Sequence, residues 1–158
     1  MYEGYELTPE DQYCGGTLVG DRYVITSAEC TSDLTANNIS VLVGDTTLGV
    51  ANDTIRLFFN VSEIRTHPEY DNSTKTVQNN IAVLVLSSPV DLKAYPNIKP
   101  ACLPKTETVI DLEHRTAVLS GWGTVGDNMW NEDTISYSNL YKIGAKILPN
   151  CNKWQGKL

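Results

Sequence analysis

The side chains best equipped for chemistry in this chain of 158 residues are its two histidines, His67 and His114, its four cysteines, Cys14, Cys30, Cys102 and Cys151, and a glutamate, Glu29, directly beside Cys30. Imidazole, thiolate and carboxylate are the usual zinc ligands, but a zinc site draws them from close, patterned spacings. No HxxxH pair or Cys/His cluster occurs, so neither a metal site built on His67, His114 and Glu29 nor any cofactor is expected. Gly121, Gly123 and Gly126 make no phosphate loop, because no Lys-Ser/Thr pair follows them. Acid–base work would fall to Glu29, and a glutamate of ordinary pKa, about 4.3, is a weak base at neutral pH.

Four Asn-x-Ser/Thr sequons, at Asn38, Asn52, Asn60 and Asn72, are candidates for N-glycosylation and support secretion. Asn60 falls inside an apparent strand, where a glycan fits only on a solvent-facing side. The chain opens Met1-Tyr2-Glu3-Gly4 without a charged and then apolar leader, so no signal peptide is expected within it. A net charge of −7 argues against nucleic acid as a partner, since phosphate-backbone binding needs clustered Lys and Arg. With 41% hydrophobic and 20% charged residues the composition is that of a globular chain, and no apolar run approaches the roughly 18 residues of a spanning helix.

Short β-branched or aromatic runs bounded by Gly, Asn, Asp and Pro must position these groups. They fall at Thr17 to Val19, Tyr23 to Ser27, Ile39 to Val43, Ile55 to Ile64, Ile81 to Leu86, Ala117 to Leu119 and Leu140 to Leu148. Many short strands without long helical periodicity predict an all-β fold. The proline-rich stretch Pro96 to Pro104 reads as a linker between two lobes, 1–105 and 106–158. After it only two convincing strands are expected, which would leave strand edges and Trp122 and Trp154 partly exposed.

Five segments, in order, resemble the chymotrypsin/trypsin family of serine proteases. They are Cys14-Gly15-Gly16-Thr17-Leu18 with Thr26-Ser27-Ala28-Glu29-Cys30, then His67-Pro68-Glu69-Tyr70, then Asn80-Ile81-Ala82-Val83-Leu84-Val85-Leu86. Ala101-Cys102-Leu103-Pro104 and Ser120-Gly121-Trp122-Gly123 complete the set. The resemblance implies a chymotrypsin-like double β-barrel, with the first barrel complete, the second only partial, and a short helical turn at Pro149 to Trp154. It also implies a Cys14–Cys30 disulfide, and with it an oxidising compartment. For Cys102 and Cys151 three outcomes stay open: pairing with each other, pairing with a segment beyond the chain, or free thiols.

The same resemblance places Glu29 where the family carries its catalytic histidine and Asn80 where it carries the aspartate that orients it. Neither the family's Ile-Val-Gly-Gly terminus nor its Gly-Asp-Ser-Gly-Gly nucleophile motif occurs before Leu158. Acyl transfer needs hydroxyl, imidazole, carboxylate and oxyanion donors together, so Glu29 and Asn80 are expected to be vestigial triad positions and no residue is expected to be catalytic. A carboxylate beside an aspartate would suffer repulsion, whereas the Asn80 amide can donate to Glu29. A structural Glu29–Asn80 hydrogen bond is therefore expected, the alternative being independent drift with Glu29 in solvent. The implied protein is a secreted, non-catalytic protease homologue that binds a protease or protease substrate. The competing expectation is the front part of a longer trypsin-like endopeptidase, or a mispredicted gene product.

Overall fold

The computed structural model describes residues 12–48, 55–73, 78–104, 112, 114–122, 124–125, 135–136 and 139–148. Strands dominate: β1 (Thr17–Leu18), β2 (Tyr23–Thr26), β3 (Ser40–Val43), β4 (Leu57–Thr66), β5 (Ala82–Leu86), β6 (Thr116–Gly121), β7 (Thr124–Val125), β8 (Ile135–Ser136) and β9 (Tyr141–Lys146). The described helical structure is confined to two 3-10 turns, Glu29–Thr31 and Ala36–Asn38. The chain divides into two units, 1–103 and 104–158.

In the first unit five strands form one antiparallel sheet in the order β1-β2-β5-β4-β3. Its central strand β5, Ala82-Val83-Leu84-Val85-Leu86, is covered on both faces and almost wholly buried, which explains its unbroken apolar run. Val24, Ile39, Val61, Leu84, Leu86, Val90 and Ile98 make the core, with Leu18, Val43, Phe59 and Ile64 packed around it. Gly16 is needed at the start of this sheet, because a Cβ there would lie 2.7 Å from Val24 Cγ1.

The sheet curls because of β4. Its first half, Leu57–Asn60, pairs with β3, and from Val61 onward it pairs with β5. A bulge between Val61 and Glu63 marks the handover. Leu57, Phe59 and Val61 turn inward, and the next inward residue is Ile64 rather than residue 63, since Ser62 is the extra residue of the bulge. The Ser62 hydroxyl donates to the Val85 carbonyl at 3.0 Å and fixes the kink.

One turn at the sheet's end carries a buried charge. Gly44 has φ +87°, and a Cβ on it would meet the Ile55 carbonyl oxygen at 2.5 Å. The next residue, Asp45, is buried; it accepts from the Thr47 N–H at 2.9 Å and pairs with the Arg56 Nε at 2.9 Å.

The stretch read as a linker is anchored to this unit. Ile98 joins the core, and the Ala101 N–H donates to the Leu18 carbonyl at 2.7 Å. In the second unit β6 and β9 form a two-stranded antiparallel ladder, Thr116 opposite Lys146 through Gly121 opposite Tyr141. Its apolar residues Val118, Leu119 and Ile143 are exposed. Two further strands, β7 and β8, escape the sequence reading, because a pair of two-residue strands has no alternation to detect. Trp122 is half-buried, while Trp154 and the expected turn at Pro149 to Trp154 lie outside the described residues. The architecture is all-β: a curled half-barrel sheet and a smaller β lobe, as in a chymotrypsin-like fold with a partial second barrel.

Candidate functional site

Glu29 and Asn80 are 51 positions apart in sequence, and strand register brings them together. Strands β2 and β5 run antiparallel with Thr26 opposite Ala82. The chain leaving β2 therefore passes the chain arriving at β5, and the third residue after Thr26 meets the second before Ala82. Glu29 opens the 3-10 turn Glu29–Thr31, whose first N–H groups have no partner within the turn. Asn80 follows Asn79, which is held at φ +57°, and the Ile81 N–H closes back on the Asn79 carbonyl at 2.7 Å. That tight turn aims the Asn80 side chain at the neighbouring strand end.

The two residues share two hydrogen bonds. The Glu29 backbone N–H donates to Asn80 Oδ1 at 2.8 Å. Asn80 Nδ2 donates to Glu29 Oε2 at 3.4 Å. Residue types alone imply only the second, which is the longer and weaker contact. The shorter bond makes Asn80 a cap supplied from a distant strand, satisfying a helical N–H that would otherwise lack a partner. The Glu29 side chain is exposed even so, as in the drift alternative, but it is tethered rather than loose.

The surroundings are held covalently. Cys14 and Cys30 form a disulfide, so the Glu29 turn is pinned to the segment before β1. The Ser27 hydroxyl lies 2.9 Å from Cys30 Sγ, and the Thr26 hydroxyl donates to the Gly15 carbonyl at 2.8 Å. The Thr31 hydroxyl returns to the Ala28 carbonyl. Every hydroxyl within two residues of Glu29 is thus committed to local bonding, since Ser27 and Thr31 are the only ones.

His67 does not contribute to this pair. It sits in the turn that Pro68 punctuates, with the Tyr70 N–H closing on the His67 carbonyl at 3.0 Å. Its Nδ1 accepts from the Glu69 N–H at 3.2 Å. His114 lies in the second unit at φ +61°, its N–H donating to the Ile147 carbonyl at 2.9 Å. No group of three His, Cys, Asp or Glu side chains able to hold a metal occurs among the described residues.

An open hollow of roughly 410 Å³ adjoins the Glu29 turn, lined by Thr31, Leu34, Ile64, Thr66, Tyr70 and Asp71. Nothing in the sequence announces it, because its walls come from two loops and a strand that only the sheet brings together. Two hydrogen bonds from Ser73, the hydroxyl at 2.6 Å and the backbone N–H at 2.8 Å, hold the Asp71 carboxyl below its usual range.

Of the remaining site expectations, Asn38, Asn60 and Asn72 are all exposed, and Asn52 lies outside the described residues. Cys102 is exposed and unbonded, and Cys151 also lies outside them. No described helix is long and apolar enough to cross a membrane.

Comparison with known proteins gives one consistent answer. The family model described as Trypsin matches residues 5–156. Serine protease 1 of Rattus norvegicus is 33% identical over 78% of this chain and 46% of its own length. Phenoloxidase-activating factor 3 of Holotrichia diomphalia is 31% identical over 91% of this chain and 42% of its own. Trypsin of Phaedon cochleariae is 30% identical over 85% of this chain and 50% of its own. The chain thus spans about half the length of these relatives or somewhat less.

Proposed function

The chain belongs to the trypsin family, and on that footing we propose that it is a secreted, non-catalytic homologue that acts by binding a protease or a protease substrate. The observation that carries this reading is the Glu29–Asn80 pair at the positions where the family's histidine and aspartate are expected. An ionised carboxylate accepts hydrogen bonds and donates none, and a primary amide does not titrate at working pH. Together they cannot take a proton from a serine and return it to a leaving group. In a serine protease with an otherwise intact triad, the aspartate-to-asparagine change alone lowers turnover by about 10⁴. Here the imidazole is replaced as well.

The deficit at Glu29 and Asn80 does not depend on any polypeptide beyond Leu158. A nucleophilic serine further along would still face an acid and an amide, so a longer protein carrying this segment would be disabled at the same step. Secretion is supported by the Cys14–Cys30 disulfide, since such bonds persist in oxidising compartments.

The test uses the full chain and a fluorophosphonate probe, which reacts only with an activated serine. No labelling and no peptide-ester hydrolysis is the expected result. Labelling that disappears on mutation of one of the chain's own serines would overturn the reading. For the binding role, the chain added to an active trypsin-family protease with a protein substrate should change the cleavage rate. No change for any such pair would leave inactivity standing and remove the regulatory role.

A further inference from the structure

We propose that Asn60 carries an N-linked oligosaccharide whose first sugar packs on the ring of Phe58, capping the outer face of the β3–β4 ribbon. The proposal rests on the secreted reading, since oligosaccharide transfer occurs in the secretory lumen. Its structural basis is independent of that reading.

Asn60 has no structural role that would account for it. Asn is disfavoured in strands, yet it occupies the middle of the ten-residue strand β4. Its backbone carbonyl accepts from the Ser87 N–H at 2.8 Å, and the residue lies opposite Ser40 in the ladder. Its carboxamide is exposed and makes no hydrogen bond. The neighbours Phe59 and Val61 point into the core, so Asn60 faces outward by the strand's alternation. The residues Asn60-Val61-Ser62 form a complete acceptor sequon.

Phe58 supplies the second observation. It lies two residues before Asn60, hence on the same face, and is 48% exposed where an aromatic ring gains nothing from water. The Arg56 guanidinium stands 5.7 Å from its ring centroid. The ring side toward Asn60 is where the first N-acetylglucosamine, joined through the carboxamide, would rest its C–H face. Asn38 lies beside this patch, because the third residue of its own sequon, Ser40, is the cross-strand partner of Asn60. Its Oδ1, however, is engaged by the Thr35 hydroxyl.

In the transfer, Asn60 Nδ2 bonds to C1 of the first sugar of an oligosaccharide linked to a lipid pyrophosphate. The C1–O bond to the pyrophosphate breaks, the amide loses one proton, and the lipid pyrophosphate leaves. The step precedes folding, since the native Ser62 hydroxyl is bonded to Val85.

The experiment is secretion of the full chain behind a supplied leader from a eukaryotic host, followed by peptide mapping before and after enzymatic glycan removal. Occupancy at Asn60, lost in both Asn60→Gln and Ser62→Ala, is expected. Glycan removal should lower the thermal midpoint of the wild type but leave that of Phe58→Ala unchanged. A secreted, disulfide-bonded product with unmodified Asn60 overturns the proposal, and an equal fall in both midpoints overturns the packing on Phe58. Should native protein instead lack the Cys14–Cys30 disulfide, the secreted reading fails while the host result still decides whether Asn60 accepts a glycan.

Discussion

Replacing Asn80 with aspartate is the most direct probe of the Glu29–Asn80 pair. The substitution preserves shape and an oxygen able to accept the Glu29 N–H, so the 2.8 Å bond survives. It replaces the amide nitrogen, 3.4 Å from Glu29 Oε2, with a second carboxylate oxygen. Two like charges at about 4 Å repel by about 1 kcal/mol in water and about 4 kcal/mol at an effective dielectric of 20. Because the Glu29 side chain is exposed, the low end applies and a loss of about 1–2 kcal/mol is expected at pH 7. The sign follows from proton counting. In the variant the native pair holds a proton that the unfolded chain has already released, so stability falls as pH rises above about 4. Urea unfolding at pH 4 and pH 7 should show a deficit only at the higher value, with an unchanged slope. About 1 M salt, with a Debye length near 3 Å, should shrink it, and a Glu29→Gln background should abolish it. A deficit equal at both pH values, or undiminished with Gln at position 29, would refute the electrostatic account of why an amide sits here.

Other perturbations test the scaffold. Arg56→Ala removes the cationic member of a pair whose Asp45 side chain is 1% exposed, and should cost about 3 kcal/mol in urea unfolding, with Arg56→Lys recovering part of it. Leu86→Ala empties the largest fully buried side chain among the described residues, at 0% exposure, and should lower stability by about 2–5 kcal/mol. The Glu63 carboxyl is held below its ordinary range by hydrogen bonds from Arg65 at 2.8 Å. NMR titration should therefore show it protonating at lower pH than a free glutamate, and Arg65→Ala should return it upward.

The first lobe was legible because its strands announce themselves. Val24, Leu84 and Leu86 fall in β-branched and aliphatic runs that turn residues bound, and the runs at Tyr23 to Ser27 and Ile81 to Leu86 match β2 and β5 within a residue. Strand β4 outruns its hydrophobic run: the run ends at Ile64, while pairing with β5 continues to Thr66. The polar pair Arg65-Thr66 gives no hydrophobic signal, and only the ladder reveals it. At the site, residue types disclosed which two groups would meet but not which atoms would lead. That Asn80 caps a backbone N–H depends on the 3-10 turn at Glu29 and on the left-handed Asn79, and no side-chain pattern encodes either.

Ser62 separates two properties that usually travel together in a strand, which way side chains face and how far the backbone bends. Without it, Val61, Glu63 and Ile64 would alternate in the ordinary way, and every side chain of β4 would keep its present side. A chain shortened by that one residue would retain its interior while flattening at the point where β4 changes neighbours. Curvature of the half-barrel can thus be gained or lost in a single indel at the bulge without rewriting the core, whereas removing a residue from the regular stretch between Phe58 and Asn60 would turn part of the strand inside out.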